Sequence, residues 1–413
     1  MIDSAKLMID EQREYMKRAI ARKGYDVSKL DELYNVLVQL RAKRQELDAL
    51  RQRRNAVSKD KNVPVEEKRA LRDQIDAMEA QAQELEAKSK EYLYDIPNLP
   101  EDDAPTGATE KDNVVIAQCE DYYHCPVEDP KPHWEVGKAL DILDMEGATK
   151  ISGSMFGMFR GKGAKLIRAL VNYCFQLNGE KYQEILPPHM VSTRSLTYTG
   201  HLPKFANDQY KCVNDDLWLI PTAEVPLTAS FAETVIPGEE LPRRCMGYTV
   251  AFRREAGSAG KDTRGLQRLH EFHKVELLKV VKPEDVQPEL QDLLTDCLRI
   301  IKDLKLQYRI VDLCSGDMGD KYARCYDIEV YSPGVKRWLE VSSVGHFSDY
   351  QARRANIRYT DAQGKRQVAY TMNGSGMATP RVWTAIVETY QQPDGSVEVP
   401  EVLRPFMGCD YIR

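Results

Sequence analysis

The chain has 413 residues, 42% hydrophobic and 30% charged, with a formal net charge of −6, which excludes bulk disorder and suggests two or three domains. No run reaches the roughly 18–20 apolar residues of a membrane span, and the first thirty lack a signal core, so a cytoplasmic protein with no membrane contact is expected. An acidic total gives no global pull on nucleic acid, so any such partner needs a local basic surface.

Residues 2–27 read as one or two short helices. Residues 28–96 hold no Gly and one Pro, the composition of long helices. One seam at alternating three and four spacing runs through Leu33, Val36, Leu40, Lys43, Leu47, Leu50, Arg54 and Val57. A second runs through Leu71, Ile75, Met78, Ala82, Leu85, Ser89, Tyr92 and Ile96. Lys61-Asn62-Val63-Pro64 is a turn between them, so the seams fold back as an antiparallel coiled-coil arm, about 40 Å long at ~1.5 Å per residue. Residues 41–61 carry eight Lys/Arg against three Asp/Glu, and residues 62–96 five against nine, so a basic helix faces an acidic one. The hairpin from Leu30 to Ile96 reads as self-contained and removable.

Pro97–Gly107, rich in Pro and acids, reads as a linker. Beyond it, helical stretches (Ala164–Leu177, Pro283–Leu304) are mixed with strand-like runs (Asp216–Ile220, Tyr248–Phe252, Leu269–Val281, Tyr308–Val311, Tyr326–Val330). They lack regular strand–helix alternation, which predicts an α+β domain on an antiparallel sheet. No P-loop or GxGxxG follows a strand. The nine cysteines form no CxxC pair and read as free thiols, with no zinc expected.

Four clusters could carry chemistry. Tyr248–Val280 reads as a hairpin with a glycine-rich tip. Period two puts Arg253 and Glu255 on one face of its first strand, and Arg268, His270, Phe272, Lys274 and Glu276 on one face of its second. Arg suits phosphate and Phe suits a base. Asn373–Arg381 has glycines that let backbone approach a ligand, with Arg381 near a helix start. Glu340-Val341-Ser342-Ser343, at a strand end, offers oxygens for Mg²⁺. Thr222-Ala223-Glu224, on a turn, could grip an ammonium group. Each cluster alone also fits an ordinary charged surface.

Together they resemble the seryl-tRNA synthetase family of the bacterial kind, from Met1 to Met407. FRREAGSAGKDTRGLQRLHEFHKVE stands as motif 2 of the class II synthetases. NGSGMATPR stands as motif 3, followed by TYQQPDGSVEVPEVLRPFMG, and the helix and strand ending at Leu186-Pro187-Pro188 as motif 1. The resemblance implies a tRNA-binding domain over residues 1–105, its arm at about 28–96. It implies a class II catalytic domain over 106–413, working as a homodimer through motif 1. The implied reaction activates L-serine with ATP and Mg²⁺ to seryl-adenylate and transfers it to tRNA(Ser), and to tRNA(Sec) where present.

Carried over by position, Arg253, Glu276 and Arg381 are the implied catalytic residues. Arg253 would bind the α-phosphate and serine carboxylate, Glu255 the adenine edge, and Phe272 the adenine face. Arg254 and Arg268 would complete the ATP site, with Arg381 on the far phosphates. Glu340 and Ser343 would hold the metal, with Val341 and Ser342 between them in the ATP-binding run. Thr222, Ala223 and Glu224 would take the serine ammonium, and Glu276, Asn373 and Ser375 would surround its hydroxyl. Arg51, Arg53 and Arg54 would meet tRNA phosphates. The chain departs from the family at Val344-Gly345-His346, usually Cys-Ser-Asn, and at Pro380, usually Gly. A carrier-protein ligase of the same class would lack the arm, and an inactive paralogue would lose its arginines.

Overall fold

The glycine-free run becomes two long helices, as its composition predicts. They belong to the first of two units, Met1–Leu99 and Pro100–Arg413, in a computed structural model that describes residues 1–59, 63–119, 121–254 and 264–413. The first unit holds α1 (Ser4–Leu7), α2 (Asp10–Arg22), α3 (Ser28–Lys59) and α4 (Val65–Asp95). The Asp3 side chain caps α1, and Pro64 stands immediately before α4.

Seam positions Leu33, Val36, Leu40, Leu47, Leu71, Ile75, Ala82 and Ser89 are buried where α3 meets α4. Opposite charges face across the pair: Arg51 reaches Glu79 at 2.9 Å, Arg53 reaches Glu67 at 3.2 Å, and Arg44 meets Glu86. The expectation of a self-contained hairpin fails at its base. Leu30, Leu33, Leu93 and Ile96 share one core with Ile2, Leu7, Met16 and Ile20. Only the outer part, with its own cluster of Leu47, Leu71 and Ile75, is independent of α1 and α2.

Pro100–Pro105, expected as linker, packs into the second unit. Glu101 N–H donates to Ala323 O at 2.9 Å, Arg324 pairs with Asp103 at 2.9 Å, and Ala104 is buried with Val311 and Leu313.

The second unit is built on eight strands: β1 (Val114–Gln118), β2 (Gln183–Glu184), β3 (Arg243–Phe252), β4 (Glu271–Val281), β5 (Tyr308–Asp312), β6 (Arg324–Ser332), β7 (Arg337–His346) and β8 (Tyr370–Ala378). Their order is β1-β5-β6-β7-β8-β4-β3-β2, antiparallel except for β2 on β3. Helices Gly161–Asn178, Val286–Asp303 and Thr379–Thr389 bury Leu170, Leu293 and Trp383 in one core with Val275, Leu277 and Val281 of β4. Alternation along β4 therefore turns Phe272, Lys274 and Glu276 to the opposite face. Among the described residues, no helix is long and apolar enough to cross a membrane.

Candidate active site

On that opposite face lies a cleft lined by Arg253, Gln267, Arg268, Phe272, Lys274, Glu340, Ser375 and Arg381. Arg253 and Arg268 sit beyond the strand ends rather than within them, but the hairpin continues: Arg253 N–H donates to His270 O at 2.9 Å. The Arg253 guanidinium lies 5.2 Å from the centre of the Phe272 ring, and its Nε donates to Pro221 O at 3.3 Å. Arg381 stands in the first turn of Thr379–Thr389, and Pro380 fits that turn because its missing N–H is not needed there. Arg381 Nη1 donates to Glu340 O at 2.6 Å and Nε to Gln267 O at 3.4 Å. Burial raises the Glu340 carboxyl, but Arg381, Arg253 and Lys274 together hold it below the usual carboxylate range. Four cations around one cleft, Arg253, Arg268, Lys274 and Arg381, make it a site for anions.

Beside the cleft are two buried carboxylates. Glu276, fully buried, accepts from Thr222 Oγ1 at 2.6 Å and Asn373 Nδ2 at 3.0 Å, and is paired with Lys274. Glu224, 3% exposed, opens the short helix Glu224–Ala229. It is held by Lys321 Nζ, at 2.7 and 2.5 Å from its two oxygens, and by Gln351 Nε2 at 2.7 Å. Period two placed Lys274 on this face, but no spacing in the sequence marked Lys321 or Gln351; only a search for counter-charges to Glu224 would have raised them.

Glu340–Ser343 lies within β7 rather than at a strand end. The β6–β7 register shifts between Glu340 and Ser342, a bulge that brings Glu340 and Ser343 together. Ser343 Oγ donates to Asp327 Oδ1 at 2.6 Å and lies 3.2 Å from Glu340 Oε1. Burial and the neighbouring Glu340 push the Asp327 carboxyl well above its usual range. Two carboxyls and a hydroxyl are a donor set that fits Mg²⁺. Asp327 is the member of it that the sequence reading missed.

Other expected residues point elsewhere. Ser342 is buried, its hydroxyl set against the Cys297 thiol. Arg254 lies over the Tyr210 ring at 5.7 Å, and Ala223 packs with Leu227 in a second core. Glu255 and most of the glycine-rich tip lie outside the described residues. Gly374 and Gly376 do not face the cleft: a Cβ there would stand 2.7 Å from Cys297 Sγ and 3.1 Å from Cys174 Sγ. Those glycines let helices approach the sheet from behind. The unusual Val344-Gly345-His346 is packing too. A Cβ on Gly345 would meet Arg324 O at 2.4 Å, and His346 Nε2 is 3.0 Å from Glu101.

A buried network braces the cleft. His133 Nε2 accepts the Leu266 N–H at 3.0 Å, which leaves its proton on Nδ1, 2.7 Å from Glu388 Oε1. Glu388 also accepts from Ser332 Oγ and from Gly334 N–H at 2.9 Å. Leu266 leads directly into Gln267 and Arg268. His133→Ala is expected to cost about 3 kcal/mol, since it strips partners from a buried carboxylate and a buried N–H. Chemical denaturation of both proteins checks this.

Comparison with known proteins gives one answer. Residues 1–100 match the family described as Seryl-tRNA synthetase N-terminal domain, and residues 209–390 the tRNA synthetase class II core domain (G, H, P, S and T). A serine–tRNA ligase of Thermodesulfovibrio yellowstonii is 49% identical over 326 residues, 78% of this chain and 77% of that one. The crystal structure of seryl-tRNA synthetase from Pyrococcus horikoshii complexed with ATP superposes with a TM-score of 0.92 at 31% identity, over 100% of this chain and 99% of that one. The cytoplasmic serine–tRNA ligase of Naegleria fowleri in complex with AMP gives 0.88 at 25%, over 99% and 98%.

Proposed function

This chain belongs to the seryl-tRNA synthetase family and joins serine to tRNA with ATP, and on that premise we propose which of its residues carry each step. Arg253, Lys274 and Arg381 meet over one cleft, and Lys274 links that cleft to Glu276; this meeting is the observation that supports the assignment.

The serine carboxylate is ionised at neutral pH, so no side-chain base is required. Its oxygen attacks the α-phosphorus of ATP, and the bond to pyrophosphate breaks. Arg253 holds both reacting groups, and Arg268 and Arg381 neutralise the leaving phosphates. Phe272 takes the adenine ring. Glu340, Ser343 and Asp327 would hold Mg²⁺, which when bound neutralises phosphate charge. The serine ammonium goes to Thr222 and Glu224, and its hydroxyl to Glu276, beside Asn373 and Ser375. A terminal ribose hydroxyl of tRNA(Ser) then attacks the seryl carbonyl and AMP leaves.

The first unit binds the tRNA through the arm, and the cytoplasm is the proposed compartment. The dimer forms through motif 1. Leu186, 78% exposed, and Met190, 43% exposed, flank Pro187-Pro188, apolar surface that a second copy would cover.

Glu276→Gln tests the serine pocket. A carboxylate has about four acceptor sites, and the three contacts named above leave one for the substrate hydroxyl. Alanine would therefore leave one site empty rather than a bare carboxylate, so discrimination of about a hundredfold is expected, as for one hydrogen bond to a charged group. Pyrophosphate exchange with serine and alanine should show that ratio collapse in Glu276→Gln. An unchanged ratio would remove Glu276 from the pocket.

A further inference from the structure

Glu224 already holds an ammonium group, and it belongs to the protein. Lys321 lies on the turn before β6, its side chain 19% exposed. Its Nζ reaches both oxygens of Glu224, and it stands 5.4 Å from the centre of the Tyr322 ring and 5.2 Å from that of Phe347. A carboxylate with two aromatic faces is the surrounding that selects an alkylammonium ion. Gln351 Nε2 takes the remaining place on Glu224 Oε1. Its Oε1 accepts from Thr371 Oγ1 at 2.9 Å, so the amide is fixed as a donor to Glu224. Glu224 thus keeps one acceptor site on Oε2 while Lys321 is in place. Thr222 likewise keeps one acceptor site, its hydroxyl donating to Glu276 and accepting the Glu224 N–H at 3.2 Å.

We propose that Lys321 is an internal competitor for the α-ammonium of the amino-acid substrate and thereby sets the affinity for serine. This rests on the assignment of that ammonium to Glu224. Two cations cannot share a nearly buried carboxylate without repulsion. Serine binding therefore requires the Lys321 head to swing off Glu224, a movement its four-carbon stem permits. The apparent affinity falls by the fraction of molecules in which Lys321 is already away. With Lys321 in place the buried Glu224 carboxylate stays paired. The same contact weakens every ligand that brings an ammonium and leaves ATP untouched.

The test is serine-dependent pyrophosphate exchange by the full-length enzyme carrying Lys321→Met or Lys321→Arg. Methionine keeps the length of the stem and its contact with the rings but removes the charge. It is expected to lower KM for serine by up to about tenfold, with kcat not reduced and KM for ATP unchanged. Arginine offers a planar fork that holds a carboxylate by two bonds, so it is expected to raise KM for serine. A merely structural lysine would not move KM in opposite directions in the two variants. If methionine leaves KM for serine unchanged or raises it, or shifts KM for ATP equally, competition is overturned. Glu224→Gln separates the two levels. If it leaves KM for serine at the wild-type value, the ammonium assignment is wrong and the competition falls with it. If it raises that KM while Lys321→Met does not lower it, the assignment stands and the competition alone is overturned.

Discussion

Arg381→Ala is expected to slow serine-dependent pyrophosphate exchange by about a thousandfold, the scale seen when one preorganised charge stabiliser is removed. Transfer from purified seryl-adenylate to tRNA(Ser) should fall by less than about tenfold, because the phosphates proposed for Arg381 leave in the first step. The guanidinium is positioned for this before ATP arrives. It is fixed at Glu340 O and Gln267 O, 3.4 Å from the Glu340 carboxylate, so little ordering remains when the phosphates bind. Arg381→Lys should recover only part of the rate, since a point charge on a flexible stem cannot span the same two carbonyls. Single-turnover assays that begin from ATP or from the adenylate measure the two steps separately. Equal slowing of both would place Arg381 on the adenylate itself.

Much of this site was legible in the chain because its residues sit in local patterns. Period two alone puts Phe272, Lys274 and Glu276 on one face of β4, and the three-four spacing marks the α3–α4 seam. What was not legible depends on residues far apart in sequence. His133 and Glu388 are separated by 255 positions, and neither carries a repeat or a spacing that points to the other. Lys321 reads as a turn residue until the fold brings Glu224 against it. The glycines of Asn373–Arg381 show the converse. Their presence implies a close approach but not which side of the sheet it is on, and here it is the helix layer. The bulge in β7 likewise has no residue signature, yet it decides that Glu340 and Ser343 can serve one cation.

Replacing Arg44–Glu86 by a short Gly-Ser link is expected to leave serine-dependent pyrophosphate exchange near wild type while aminoacylation of tRNA(Ser) falls by two or more orders of magnitude, chiefly through KM for tRNA. The cut is set by packing. Arg44 pairs with Glu86 across the hairpin, so a link there joins two points already side by side. It removes the outer cluster of Leu47, Leu71 and Ile75. It also spares Leu30, Leu33, Leu93 and Ile96, which the helices at the base require. Removing everything from Leu30 to Ile96 would expose that core and confuse weakened binding with failed folding. Neutralising Arg51, Arg53 and Arg54 together should give a milder defect, because two of the three are not idle cations. Arg51 and Arg53 are engaged with Glu79 and Glu67, so each phosphate must displace an exposed ion pair, itself worth ~1 kcal/mol or less. For every phosphate that is no longer neutralised, the slope of log affinity against log salt should also become shallower by about 0.7–0.9. Binding of tRNA(Ser) across a salt series, beside exchange on the same preparations, reads both effects. Full charging by the shortened enzyme would show that the arm is not what holds the tRNA.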